Sequence, residues 1–226
     1  MSERRNLVLV LGDQLAPDLS ALDDFDPDRD AVWIAENENE ATHVWSQKQR
    51  LVMFFAAMRH YRDAQRDTGK TVIYHGLTAD ARRDSGKDFA AILSAEINRA
   101  RPQRLVMTQC GSHRVQHMIA DCAAKHDIPL QVRPDRHFYC SLEAFDEWAD
   151  GRKSMVLEGF YREMRREFDV LMDDDEPAGD TWNFDKCNRE SFGKDGPGET
   201  PHVRRFRPDE VTQEVMDMVS ARFGDH

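Results

Sequence analysis

The stretch Leu7-Val8-Leu9-Val10-Leu11-Gly12-Asp13-Gln14 decides the fold, because a nearly continuous apolar run ends at a glycine and two polar residues. Such a run is typical of a strand that is buried on both faces of a parallel sheet. Four more strands are predicted at Ala31–Glu36, Thr71–Tyr74, Leu105–Thr108 and Leu130–Arg133. Helical spacing fills the intervals at about 44–68, 86–100 and 113–126. This alternation predicts an α/β fold in which crossover helices flank a five-stranded parallel sheet.

The pattern changes from Ser141 onward. Helices are predicted at Leu142–Ala149 and Met155–Leu171, and residues 173–207 form a long irregular segment rich in glycine and proline. A segment of that length is usually functional or a linker. A last helix is predicted at Pro208–Arg222, with a stripe of apolar residues that has nothing later in the chain to meet. The stripe consists of Val211, Val215, Met218, Val219 and Phe223.

Composition excludes several classes of protein. The net charge of −11 argues against a nucleic-acid binder that works through bulk charge. No stretch approaches the roughly 18 apolar residues of a membrane span, and the first apolar run is too short for a signal peptide. The four cysteines have no CxxC spacing, so we predict free thiols and no zinc site. A soluble, cytoplasmic protein is expected.

Polar residues follow the first two predicted strands, where parallel sheets bind their ligands. Gly12, Asp13 and Gln14 end the first strand, and Glu36 and Glu40 follow the second. These groups suit a neutral, polar heterocycle with many NH and OH groups. A phosphate fits poorly, since no GxGxxG or GxxxxGK[ST] motif is present. Alternatively, Asp13 caps a turn and the glutamates are solvated.

The loop Gly111–Arg114 after the fourth strand is a further candidate. His113 and Arg114 could contact a ligand, but a helix N-cap by Ser112 explains the loop equally well. His113 and His117 share a helical face without a third ligand nearby in the sequence, so no metal site is predicted. No catalytic triad, nucleophile elbow or paired-carboxylate pattern stands out, and no catalytic residue is assigned.

Basic and aromatic residues alternate over residues 152–189. Aromatic planes can stack on bases while Arg and Lys hold phosphates, so DNA contact is one interpretation. The other is a solvated helix face that docks on another domain, with Trp182 and Phe184 as packing anchors.

Several motifs together resemble the deoxyribodipyrimidine photolyase-related proteins, the bacterial iron–sulfur cryptochromes and (6-4) photolyases. They occur in order along the chain at Leu11–Leu15, Ala56–His60, Pro134–Phe138, Glu147–Lys153, Phe160–Arg166, Leu171-Met172, Glu176–Gly179 and Trp182–Asp185.

This resemblance implies three parts. Residues 1–140 would be a Rossmann-like antenna-chromophore domain, and 141–207 connecting helices and an interdomain loop. Residues 208–226 would be the first helix of a helical domain that holds FAD and a [4Fe–4S] cluster in the family. The chain is expected to stop where that domain begins and to be inactive alone in photorepair.

The antenna chromophore that the resemblance implies is 6,7-dimethyl-8-ribityllumazine. Carried over by position, its pocket would contain the residues Gly12, Asp13, Gln14, Ala35, Glu36, Glu40 and His43. Ala35 stands where relatives often have a cysteine or another small residue. His43 replaces the usual tyrosine, and residues 109–114 replace a sequence resembling Glu-Pro-Gly-Glu-Trp-Arg.

Three functions stay open. A light-harvesting domain would pass excitation energy to a flavin, and in a full-length context Lys186 and Arg189 would contact DNA. An interaction module with an empty pocket would instead use the surfaces at 155–166 and 208–223 to dock on a helical partner domain. A free-standing nucleotide-type enzyme is weaker, because the phosphate loop is missing.

Overall fold

The structure is a computed structural model that describes residues 4–84, 88–185, 187–189 and 191–226. It contains two compact units. The sheet unit comprises Met1–Arg136 and Arg207–His226, and the helical unit comprises His137–Phe206.

The sheet unit is built on five parallel strands, as predicted. They are β1 (Asn6–Leu9), β2 (Ala31–Ala35), β3 (Val72–His75), β4 (Arg104–Thr108) and β5 (Leu130–Arg133). Their order is β3-β2-β1-β4-β5. The chain adds β2 and β3 on one side of β1 and then crosses over to add β4 and β5 on the other side, so the order of the strands reverses between β1 and β4. This Rossmann-like arrangement places a ligand crevice at the carboxyl ends of the central strands.

Helices cover both faces of this sheet. They are α1 (Glu38–His43), α2 (Lys48–Asp67), α3 (Phe89–Ala100), α4 (His113–Lys125) and α7 (Glu210–Arg222). Leu7 and Leu9 pack with α3 and α4 on one face, whereas Val10, Val32 and Ile34 pack with α2 and α7 on the other. No helix within the described ranges is long and apolar enough to cross a membrane.

The helix predicted over 44–68 begins four residues later in the structure, and a short helix that was not predicted precedes it. The sequence predicted one helix over 44–68, but α1 ends at His43 and α2 begins at Lys48. The Asn37 side chain caps α1 by accepting a hydrogen bond from the Glu40 amide at 2.8 Å. Val44 adopts an extended backbone that ends α1 and opens a short connection to α2.

The stripe on α7 has a partner within this chain. Val215, Met218, Val219 and Phe223 are buried in the core that α7 shares with α2, and the rings of Phe55 and Phe223 stack with centroids 6.2 Å apart. A partner was sought only later in the chain, whereas α7 packs on α2, which lies earlier in it. The assignment of 208–226 to a following helical domain stays a prediction.

The helical unit contains α5 (Leu142–Ala149), α6 (Leu157–Glu167) and the short antiparallel strands β6 (Met172–Asp173) and β7 (Glu176–Pro177). The rings of Phe145, Trp148 and Phe160 form its aromatic cluster, with centroids 4.9–5.7 Å apart. The predicted helix Met155–Leu171 is shorter in the structure. Asp169 and Leu171 adopt positive φ angles of 52° and 54°, which a helix cannot continue through.

Candidate functional site

A cavity of about 350 Å³ lies at the carboxyl edge of the sheet. That volume falls within the range of roughly 300–1,000 Å³ that is usual for small-molecule sites. The ends of β1, β2 and β4 form its floor, and α1, α2 and the start of α4 form its walls. The cavity therefore lies where the order of the parallel strands reverses.

Six of the seven residues predicted for a ligand site line this cavity. They are Gly12, Asp13, Ala35, Glu36, Glu40 and His43. Gln14 does not: it is buried, and its amide donates hydrogen bonds to the backbone oxygens of Gln109 at 2.7 Å and Thr108 at 3.5 Å. Gln14 thus joins the end of β1 to the end of β4 and holds the floor together.

The apolar wall of the cavity comes from residues that the sequence placed only within predicted helices. They are Leu51, Phe54, Phe55 and Met58 of α2, and Phe89 of α3. The signal that could have found them is the pair of adjacent phenylalanines, since a helix that buried one face against a sheet would not place both rings there. Arg50 lies over the Phe54 ring at 5.5 Å, near the cavity mouth.

Glu36 lies at the centre of a buried hydrogen-bond network. Arg59 donates two hydrogen bonds to its carboxylate, at 2.8 and 3.0 Å, and the Tyr74 hydroxyl and the Leu77 amide donate two more. Arg59 also donates to the Leu77 carbonyl at 2.8 Å and pairs with Glu214 of α7 at 3.1 Å. A ligand that bound Glu36 directly would have to compete with four donors.

This network shifts the acid–base behaviour of its members. Burial alone would lower the pKa of Arg59, but the hydrogen bond and charge of Glu36 outweigh it and raise the pKa above its usual range. Burial raises the pKa of Tyr74, and the adjacent Glu36 carboxylate raises it further. The network therefore holds one buried cation, one carboxylate and a neutral phenol.

Glu40 and Arg114 form the polar side of the cavity. Two hydrogen bonds of 2.9 and 2.6 Å join them, from α4 to α1. Asp13 is exposed beside them. His113 points elsewhere: its ring packs on His117, with centroids 3.9 Å apart.

Cys110 contributes a buried thiol to the cavity floor. Its sulfur accepts a hydrogen bond from the Ser112 amide at 3.2 Å, and Ser112 in turn caps α4 through the Val115 amide. Burial raises the pKa of the Cys110 thiol, so it stays protonated at neutral pH. The loop after β4 thus caps a helix and also lines the cavity, while contact with a ligand stays a prediction.

Gly12 permits close packing between the cavity floor and α2. A Cβ atom added there would lie 3.0 Å from the Met58 sulfur. We expect Gly12→Ala to displace Met58 into the cavity and to destabilise the fold by about 1–2 kcal/mol. Urea denaturation followed by circular dichroism measures this effect, and Gly111→Ala, with open space around its added Cβ, is the control. Equal stability of the two variants would contradict the expectation.

The residues predicted to contact DNA belong to the helical unit. Arg189 is exposed in a short 3-10 turn over Cys187–Arg189, and Lys186 lies outside the described residues. The Trp182 ring has the guanidinium groups of Arg162, Arg165 and Arg166 within 4.5–5.2 Å. Its faces are therefore used inside the unit, which favours a packing role for Trp182 over base stacking.

Two comparisons with known proteins bear on this site. The sequence matches the family described as deoxyribodipyrimidine photo-lyase-related protein over residues 8–226. It is also 38% identical, over 220 residues, to a (6-4) photolyase of Agrobacterium fabrum (strain C58 / ATCC 33970). That alignment covers 97% of this chain and 42% of the relative, so the chain spans less than half of the relative's length.

Proposed function

Because the chain belongs to the deoxyribodipyrimidine photolyase-related family, we propose that its sheet unit is a light-harvesting antenna domain that binds a polar heterocyclic chromophore. The observation that carries this proposal is the two-sided cavity at the carboxyl edge of the sheet. One side is aromatic and apolar, and the other presents carboxylates without a phosphate-binding loop.

The apolar and hydrogen-bond-accepting side chains of the cavity fit 6,7-dimethyl-8-ribityllumazine. Phe54 and Met58 would hold the flat bicyclic ring, since aromatic rings and thioethers favour contact with π-systems. Asp13 and Glu40 would accept hydrogen bonds from the hydroxyls of the ribityl chain. When bound, the lumazine supplies near-ultraviolet to blue absorption. The chain's own residues bind it, orient it and keep water from its ring.

The activity of a whole photolyase is a further part of this proposal. In a longer protein, a helical domain with FAD and a [4Fe–4S] cluster would receive the excitation energy, and a lesion in DNA would be the substrate. Arg189 and Lys186 are proposed as DNA contacts in that context only. We also propose a cytoplasmic location for the longer protein. Illumination of this chain alone with lesion-containing DNA is expected to leave the lesion unrepaired.

Glu40 provides the direct test of chromophore binding. We expect the purified chain to absorb in the near ultraviolet to blue, or to acquire that absorbance on titration with the lumazine. Glu40→Ala is expected to weaken lumazine binding about tenfold, because one charge-assisted hydrogen bond is lost. Glu143→Ala, an exposed carboxylate on α5, is the matched control.

The lumazine titration separates the outcomes. A chain that neither carries nor takes up the lumazine would overturn the proposal. Equal affinities of Glu40→Ala and Glu143→Ala would remove Glu40 from the site.

A second candidate function is an interaction module that docks on a helical partner domain. The helical unit favours it, because Met155, Val156 and Leu157 are exposed one after another, Leu157 by 77%. The 208–223 surface does not contribute as expected, since its apolar stripe is buried. A separately expressed helical half that binds this chain would support the module, and Leu157→Asp should then weaken that binding.

A further inference from the structure

The wall that α1 gives to the cavity has little hydrophobic anchoring, since Ala41 packs against the core but is only partly buried. This helix is six residues long, and none of its residues is buried. Glu40, Ala41 and His43 nevertheless line the cavity, so their positions depend on whatever holds the helix. Short isolated helices are unstable in water, and polar contacts to other elements must therefore supply the order.

Arg222 of α7 makes a more buried polar contact with α1 than Arg114 does. Its guanidinium donates hydrogen bonds to Glu38 in the first turn of α1, to Asp84, and to the Thr78 carbonyl at 3.3 Å. The side chain of Arg222 is 5% exposed and that of Asp84 is 2% exposed. Asp84 also accepts a hydrogen bond from the Thr78 amide at 2.8 Å, so the β3–α3 connection is held by the same pair.

A second contact from the same chain segment lies beyond the other end of α1. The His226 ring stacks on Trp45, with centroids 5.8 Å apart and planes inclined by 5°. The Nδ1 atom of His226 lies 3.0 Å from the Ser46 carbonyl oxygen. Ser46 lines the cavity, so the segment 207–226 meets the chain on both sides of α1.

We propose that Arg222 is a positioning residue for the chromophore cavity, and that α7 acts through it as a strap that holds α1 in place as the cavity wall. This inference rests on the proposed function, since it assigns the cavity to the chromophore.

Burial makes Arg222 the stronger of the two arginines that hold α1. Arg114 reaches Glu40 from the outside, with side chains 47% and 32% exposed, and exposed pairs contribute little to stability. Arg222 and Asp84 are removed from water, so the loss of one partner strands a buried charge. Glu38, by contrast, is partly exposed. If Glu38 loses its charge, Arg222 is still paired with Asp84, so no buried charge is left unpaired.

Binding of the lumazine to the full 226-residue chain tests this inference. Glu38→Gln and Arg222→Gln are each expected to speed lumazine dissociation about tenfold, because a mobile wall no longer holds the ribityl chain. Arg222→Lys is expected to recover only part of the effect, since one ammonium group cannot match the planar fork of arginine. Arg5→Gln is the matched control, because Arg5 pairs with buried Asp30 far from the cavity.

Hydrogen exchange of the amides of residues 38–46 gives a readout that does not need the chromophore. Arg222→Gln and Glu38→Gln should accelerate exchange there about tenfold, while the amides of β1 and β4 stay protected. Unchanged exchange in α1 would overturn the inference, as would equal losses of lumazine binding in Arg5→Gln and Arg222→Gln. Accelerated exchange in a chain that binds no lumazine would keep the strap and reject the proposed function instead.

Discussion

Glu36→Ala is expected to lower the free energy of unfolding by about 3–5 kcal/mol, the largest effect of any carboxylate in the cavity. The substitution takes the buried carboxylate from the Arg59 guanidinium and leaves it only the exposed Glu214 as an acidic partner. It also leaves the Tyr74 hydroxyl and the Leu77 amide without their acceptor. Urea denaturation monitored by circular dichroism measures the loss. A variant that fails to fold at 25 °C would agree with the expectation.

Two further variants separate the charge from the packing around Glu36. Glu36→Ala/Arg59→Met is expected to recover about 1–2 kcal/mol, since the stranded cation is removed. Glu40→Ala is the matched control and should cost no more than about 1 kcal/mol, because the Glu40–Arg114 pair is half exposed. If Glu36→Ala and Glu40→Ala proved equally stable, Glu36 would not be the structural carboxylate described above.

Val219→Asp is expected to destabilise the sheet unit by about 3–4 kcal/mol or more, because it places an unpaired charge in the core between α7 and α2. Val219 is 1% exposed and packs among Phe55, Val215 and Phe223. Thermal unfolding should show a correspondingly lower midpoint. Such a loss of stability would demonstrate that the apolar face of α7 contributes to the folding of this chain and is not reserved for docking on another domain.

The adjacent residue Ser220 provides the control for α7. Ser220 is exposed on the same helix, so Ser220→Asp should change the unfolding free energy by no more than about 0.5 kcal/mol. A similar, small effect for both aspartate variants would mean that the stripe is solvated and that the packing of α7 on α2 is not formed in solution.

The central strands of the sheet could be predicted from sequence because β1, β2 and β4 are almost wholly buried. Each of these strands is a short apolar run with polar residues at its end. The edge strand Leu130–Arg133 is partly exposed, and it was nevertheless predicted with the bounds that the structure has. The short helix α1 was missed, because six residues without an apolar stripe give no periodicity. The placement of α7 was missed because packing against α2 is a long-range contact that no local pattern records.

The candidate site could be predicted in position but not in its contacts. Glycine and carboxylates after the first two strands indicated the edge of the sheet at which the cavity lies. The contacts of Glu36 depend on Arg59 and Tyr74, which are 23 and 38 residues away in sequence. The partner of Glu40 is 74 residues away, so pairing with Arg114 rather than solvent could not be inferred from spacing.

Trp33 of β2 is fully buried, and the Phe89 ring meets it edge to face with centroids 5.1 Å apart. Because Phe89 lines the cavity, a single aromatic ring separates the indole from a molecule bound there. An excited indole transfers its energy over such a short range to any acceptor that absorbs where the indole emits. A near-ultraviolet chromophore in the cavity would therefore quench Trp33 fluorescence. The intensity of that fluorescence would then report how much of the protein has chromophore bound.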